Sequence, residues 1–171
     1  MDWTLIILRI LHVGSAMTWF GGAVFGALLL QPTVRALGPK AQPFMDYLVQ
    51  RRRVGVFFPI VAGLTILSGA ALFWRDSGGL QLSWITTPTG LAFTIGGLAG
   101  ITSFVLGGIL IGPSVAERTA VQNELRDTPG EPSEDQIARL ARADRKMQIA
   151  DRIDMPLLIT AGVLMAVARY L

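Results

Sequence analysis

The sequence predicts an all-α integral membrane protein, a four-helix bundle with both chain termini on the outer side of the bilayer. Three observations carry that reading. Hydrophobic residues fill 51% of the 171 positions, charged ones only 16%, and mean hydropathy is +0.51, whereas soluble domains run near a quarter charged. The apolar surplus is gathered into long blocks, as membrane spans require. Twelve of the 15 basic residues flank the same ends of those blocks.

The first block runs from Trp3 to Leu30, interrupted only by Arg9 and His12. The second, Val54 to Trp74, and the third, Pro88 to Gly112, contain no charge. The fourth, Met155 to Ala168, is 14 uncharged residues, short of the ~20 that a span needs. It crosses as residues 154–170 if Asp154 and Arg169 reach out to the two interfaces.

Orientation follows from the cations. Arg35, Lys40, Arg51, Arg52 and Arg53 lie between spans one and two. Arg118, Arg126, Arg139, Arg142, Arg145, Lys146 and Arg152 lie between three and four. Arg75 alone sits between two and three, and Arg169 alone follows span four. The crowded side is expected to be the cytoplasm of a bacterial inner membrane, leaving both termini outside. Trp3, Trp74, Trp84 and Tyr170 then fall at the outer ends as an aromatic belt.

Two cytoplasmic segments are expected to be helical, 43–50 and 114–150. Pro43 can open a short helix in which Phe44, Tyr47 and Leu48 share a face, suited to an interface; a solvated connector is the other reading. Beyond Pro113, the run V-A-E-R-T-A-V-Q-N-E-L-R has helical character, and T128-P-G-E-P-S133 breaks it. Ser133 with Gln136 forms a capping box, and Glu134 and Asp135 occupy the favoured first turn. That helix is expected to continue into span four, so that spans three and four project as a hairpin. No internal repeat is apparent.

Composition also excludes functions. The chain has no cysteine, which removes disulfides, iron–sulfur clusters and thiolate chemistry. A net charge of +3, placed beside apolar runs, suits a membrane surface rather than nucleic acid. No phosphate loop, dinucleotide fingerprint or zinc spacing occurs. No aspartate or glutamate falls inside the four runs, which argues against an ion-coupled pump. No catalytic residues are assigned, and the reading leans away from an enzyme.

Helices in lipid must meet through small residues, because lipid offers no hydrophobic reward for association. Gly96, Gly100, Ser103 and Gly107 fall in one sector of span three. His12, Ala16, Trp19, Ala23 and Gly26 fall on one face of span one, with Ser15 and Gly22 at its edge. Such stripes serve helix packing or leave room for a flat ligand.

His12, the single histidine, is the focus. It lies nine residues past Trp3, roughly 13 Å below the outer interface. Arg9, one turn shallower, can snorkel outward; the imidazole cannot. One reading satisfies its donor and acceptor with Ser68, Thr94, Ser103 or a backbone carbonyl across the bundle. The sharper reading makes it an axial ligand of haem b. Ala16 and Gly22 would leave space for the ring, Trp19 would line it, and Arg9 would meet a propionate. A second axial histidine requires a homodimer; within one chain the options are Met17, Met165 or an open position. Met17 sits about 140° around the helix from His12 and is a poor partner.

The pattern L11-H-V…W19-F-G-G22, followed by Q31-P32, resembles a superfamily of small bacterial membrane proteins. It includes copper-resistance protein D-like domains and four-helix, haem-containing protoporphyrinogen oxidases. The resemblance covers mainly span one and the four-span layout. It implies that His12 matches the histidine those families keep in their first span. The oxidase-like proteins also place a lysine of the haem site within the membrane, whereas Lys40 and Lys146 here are expected in the cytoplasm. Copper-handling relatives are expected to carry several histidines and methionines along a path, which this chain lacks. Together these readings give a haem b-binding membrane protein for electron transfer or redox chemistry, homodimeric, with an unknown redox partner. The alternative is a non-catalytic membrane component, or a small-solute or metal transport protein without cofactor.

Overall fold

Asp2 starts the first helix by accepting a hydrogen bond from the Leu5 amide at 3.1 Å, one of the donors that every helix start leaves free. In the computed structural model, which describes residues 1–128 and 130–171, α1 then runs over Trp3–Leu37. It is followed by a short α2, Gln42–Asp46, and by α3, Val54–Asp76. A four-residue α4, Leu82–Ile85, leads to α5, Pro88–Asp127, and α6, Glu134–Tyr170. No strand occurs among the described residues. Four helices are long and apolar enough to cross a membrane, and the chain is a multi-pass membrane protein. Pro129, inside the expected break, lies outside the described residues.

The helices pack as two antiparallel hairpins, α1 on α3 and α5 on α6, with α3 and α5 bridging them. Small residues make the close approaches. On α5, Gly90, Ala92, Gly96, Ala99, Gly100 and Ser103 are buried; a Cβ at Gly96 would lie 3.3 Å from Leu164 Cβ. On α3 the buried residues are Val61, Ala62, Thr65 and Ser68. The outward faces are apolar, with Leu67 72% and Leu98 59% exposed, as suits contact with lipid.

The small-residue stripes are shorter than expected. Gly26 and Gly107 face open space, and each opens a π-helical turn, Gly26–Leu30 and Gly107–Ile111. Each turn precedes an X-Pro pair, Gln31-Pro32 and Gly112-Pro113. Proline has no N–H to close the preceding ladder and crowds the carbonyl four residues back, so the widened turn absorbs it. In each case the hydroxyl after the proline bonds back to its own helix: Thr33 donates to Leu29 O and Ser114 to Leu110 O, both at 2.7 Å. The stretches G26-A-L-L-L-Q-P-T-V34 and G107-G-I-L-I-G-P-S-V115 thus share sequence and geometry. This is a local internal repeat that hydropathy alone conceals.

The aromatic end is held by an ion pair between Asp2 and Arg75. Trp3, Trp74 and Tyr170 are exposed there, at 64%, 60% and 77%. Trp84 turns inward, stacked on Phe93 at 6.3 Å and edge-on to Phe73 at 5.6 Å. At the basic end, α2 docks on the extension of α5 through Asp46–Arg126 at 2.9 Å and Gln122–Gln42 at 3.2 Å. Ser133 and Gln136 form the expected capping box, and the helix continues unbroken into the fourth span.

Two predictions arise from these ends. If the basic end is cytoplasmic, a Ser83→Cys variant reacts with an impermeant thiol reagent added outside; labelling only from the cytoplasmic side would reverse the orientation. The second concerns acid. The Gln136 and Arg139 side chains hold Glu124 below its ordinary 4.5; the Leu5 amide and then Arg75 hold Asp2 below 3.8. A depressed carboxylate adds stability that is present above its unfolded value and lost as pH falls through the folded one. Both contacts therefore weaken below about pH 4, and hydrogen exchange in residues 134–140 should rise there before the spans change.

Candidate functional site: an imidazole held between two spans

On α1, His12 and Ser15 are three residues apart; on α3, Thr65 and Gly69 are four apart, so each pair shares a helix face. The two faces meet. His12 Nδ1 lies 2.9 Å from the Thr65 carbonyl oxygen. Thr65 Oγ1 donates to Ser15 Oγ at 2.9 Å, and Ser15 donates to its own Leu11 carbonyl. Gly69 lets the ring in: a Cβ there would stand 2.7 Å from His12 Cε1 and 3.0 Å from Nδ1.

This geometry fixes the tautomer. A carbonyl can only accept, so the facing Nδ1 carries a proton, and in the neutral form of the ring the lone pair is then on Nε2. Nε2 lies across the ring from that bond and still runs alongside α3, 3.7 Å from where a Gly69 Cβ would stand. Nε2 has no hydrogen-bond partner among the described residues. Of the partners expected across the bundle, the backbone carbonyl is the one found.

The other expected site residues separate. Arg9, one turn above, is exposed. Ala16, one turn below, is half-buried on the same face. Trp19 packs edge-on against Phe104 of α5 at 6.5 Å. Gly22 is a correction. It leaves no slot for a planar guest, because the Phe58 ring of α3 fills the space its missing side chain vacates. Neither methionine sits beside the ring's free edge by any contact seen: Met17 is 71% exposed, and the Met165 methyl rests against Gly96 in the other hairpin. Among the described residues no three histidine, aspartate or glutamate side chains gather as a metal site.

A second polar position escaped the sequence reading. Asp154 is half-buried and turned toward α5. Its carboxylate accepts a hydrogen bond from Ser103 Oγ, and Ser103 is only 2% exposed. Ser103 lies 15 residues beyond Pro88, about 22 Å into a hydrocarbon layer ~30 Å thick. An acidic group therefore sits inside the bundle after all. The signal was the length of the fourth run: its 14 uncharged residues fall short of the ~20 a span needs and bring Asp154 toward the layer.

Comparison of the chain with protein-family models, with curated proteins and with solved structures returned no match.

Proposed function

We propose that the protein binds haem b in a bacterial inner membrane, with His12 Nε2 as axial ligand, and serves electron transfer or redox chemistry. The hydrogen bond from Nδ1 to the Thr65 carbonyl carries this reading. Ligating imidazoles characteristically donate their second nitrogen to a carbonyl or carboxylate, which fixes the ring and strengthens the other nitrogen as a base. Here the fit lies in the imidazole, whose Nε2 has no hydrogen-bond partner among the described residues. Bound haem would supply a one-electron couple. The chain's part is to hold the ring oriented, with Arg9 one turn above to meet a propionate and Trp19 below to wall the pocket. A homodimer pairing two copies of His12 would complete bis-histidine ligation. The resemblance to the copper-resistance D-like and haem-containing oxidase-like superfamily supports the same assignment.

A second reading has its own observation. The ring edge rests on Gly69, which suits an interhelical clamp in a non-catalytic membrane component. Absorbance decides between them. Protein purified in mild detergent from haem-replete cells should show a Soret band that His12→Ala abolishes while the variant still elutes as folded protein. Colourless wild-type protein that added haemin does not redden would leave the clamp.

A further inference from the structure

We propose that a groove between α5 and α6 at the basic end binds the phosphate of an anionic phospholipid. The groove encloses about 280 Å³ and is lined by Pro113, Ser114 and Glu117 of α5 and by Arg139, Arg142 and Lys146 of α6. Its charge is unbalanced. Glu117 is already paired with Arg139, and Arg139 also reaches Glu124 at 2.9 Å. Arg142 and Lys146, one turn apart on α6, have no carboxylate partner among the described residues. Two free cations therefore border one cavity, the arrangement that takes a phosphate.

Depth selects the source of that phosphate. Ser114 stands 26 residues beyond Pro88 along α5, roughly 37–39 Å at ~1.5 Å per residue with modest tilt. The hydrocarbon layer takes ~30 Å of this, which sets the groove about 7–9 Å past its inner edge, at headgroup level. The π turn and proline just above it widen α5 where the acyl chains end. A lipid whose tails lie along the apolar outer face of α5 brings its phosphate to Arg142 and Lys146 without leaving the bilayer. Free phosphate would have to compete from solution with a ligand already concentrated at that depth.

The test is thermal melting of the purified protein in neutral detergent, with phosphatidylglycerol, phosphatidylcholine or inorganic phosphate added. Phosphatidylglycerol should raise the Tm by several degrees, and phosphatidylcholine and inorganic phosphate should not. An Arg142→Gln/Lys146→Gln variant should lose at least half of that rise, whereas Arg145→Gln, on an exposed position of the same helix, should keep it. If the double variant does not fold, Lys146→Gln alone should lose a measurable part. An equal rise with phosphatidylcholine, an equal rise with inorganic phosphate, or a rise unaffected by the groove substitutions would each overturn the proposal.

Discussion

Replacing Gly69 with leucine will drive α1 off α3 and release His12. Even a single added carbon would lie 2.7 Å from the imidazole Cε1 and 3.0 Å from Nδ1, well inside contact distance, so the ring must swing away from the Thr65 carbonyl. The change combines an overpacking cost of about 1–3 kcal/mol with the loss of a hydrogen bond worth about 1 kcal/mol. Thermal melting in detergent should therefore fall by many degrees. Gly63→Ala, on the same helix with nothing within 4 Å of the added carbon, should be neutral or slightly stabilising, which separates the clash from a general intolerance of α3. Thr65→Val should cost less than the leucine: it removes the hydroxyl contact to Ser15 and leaves the carbonyl that holds His12. If Gly69→Leu melted like wild type, the tight α1–α3 seam would be wrong.

The second large effect is an asymmetry between two partners. Ser103→Ala will destabilise the protein more than Asp154→Asn, although both remove the same contact in its present form. Without Ser103 the carboxylate is left in the inner third of the layer with its hydrogen-bond donor gone, a loss of about 1–3 kcal/mol. Without the acid, Ser103 has a ready substitute, the carbonyl four residues back on its own helix. Thr94 and Thr102 already make the equivalent bond on the same helix, to Gly90 O at 2.7 Å and Leu98 O at 2.8 Å. Asparagine also keeps an acceptor for Ser103 and removes an ionisable group from the hydrocarbon, so Asp154→Asn should melt at or above wild type. The reverse ranking would mean that the charge itself holds α5 and α6 together.

Those two positions also mark how far the sequence could be read. The four spans, the continuous α6 and the Ser133 capping box followed from hydropathy, charge placement and local capping rules, because each is decided by neighbours within a few residues. The π turns did not follow. A proline after an apolar run reads as a helix end, and only the backbone shows that a widened turn carries the helix through. Which small residues touch was likewise hidden. Gly22 and Gly69 look alike in sequence, yet one is filled by Phe58 and the other by His12, a choice set by the rotation of α3 against α1. The candidate site was legible as a residue, His12 at mid-depth, and not as an environment. No short-range rule names Thr65, 53 positions away, as its partner.

The central claim is that His12 is a neutral imidazole protonated on Nδ1, with the Nε2 lone pair open to a ligand. Because the chain has one histidine, nitrogen NMR on protein labelled only at the histidine ring reads that single side chain. In protein freed of any bound cofactor, the account predicts one protonated nitrogen, Nδ1, and one bare nitrogen, Nε2, whose signal shifts or broadens on adding haemin. A proton on Nε2 with Nδ1 bare, or an Nε2 signal indifferent to haemin, would contradict it.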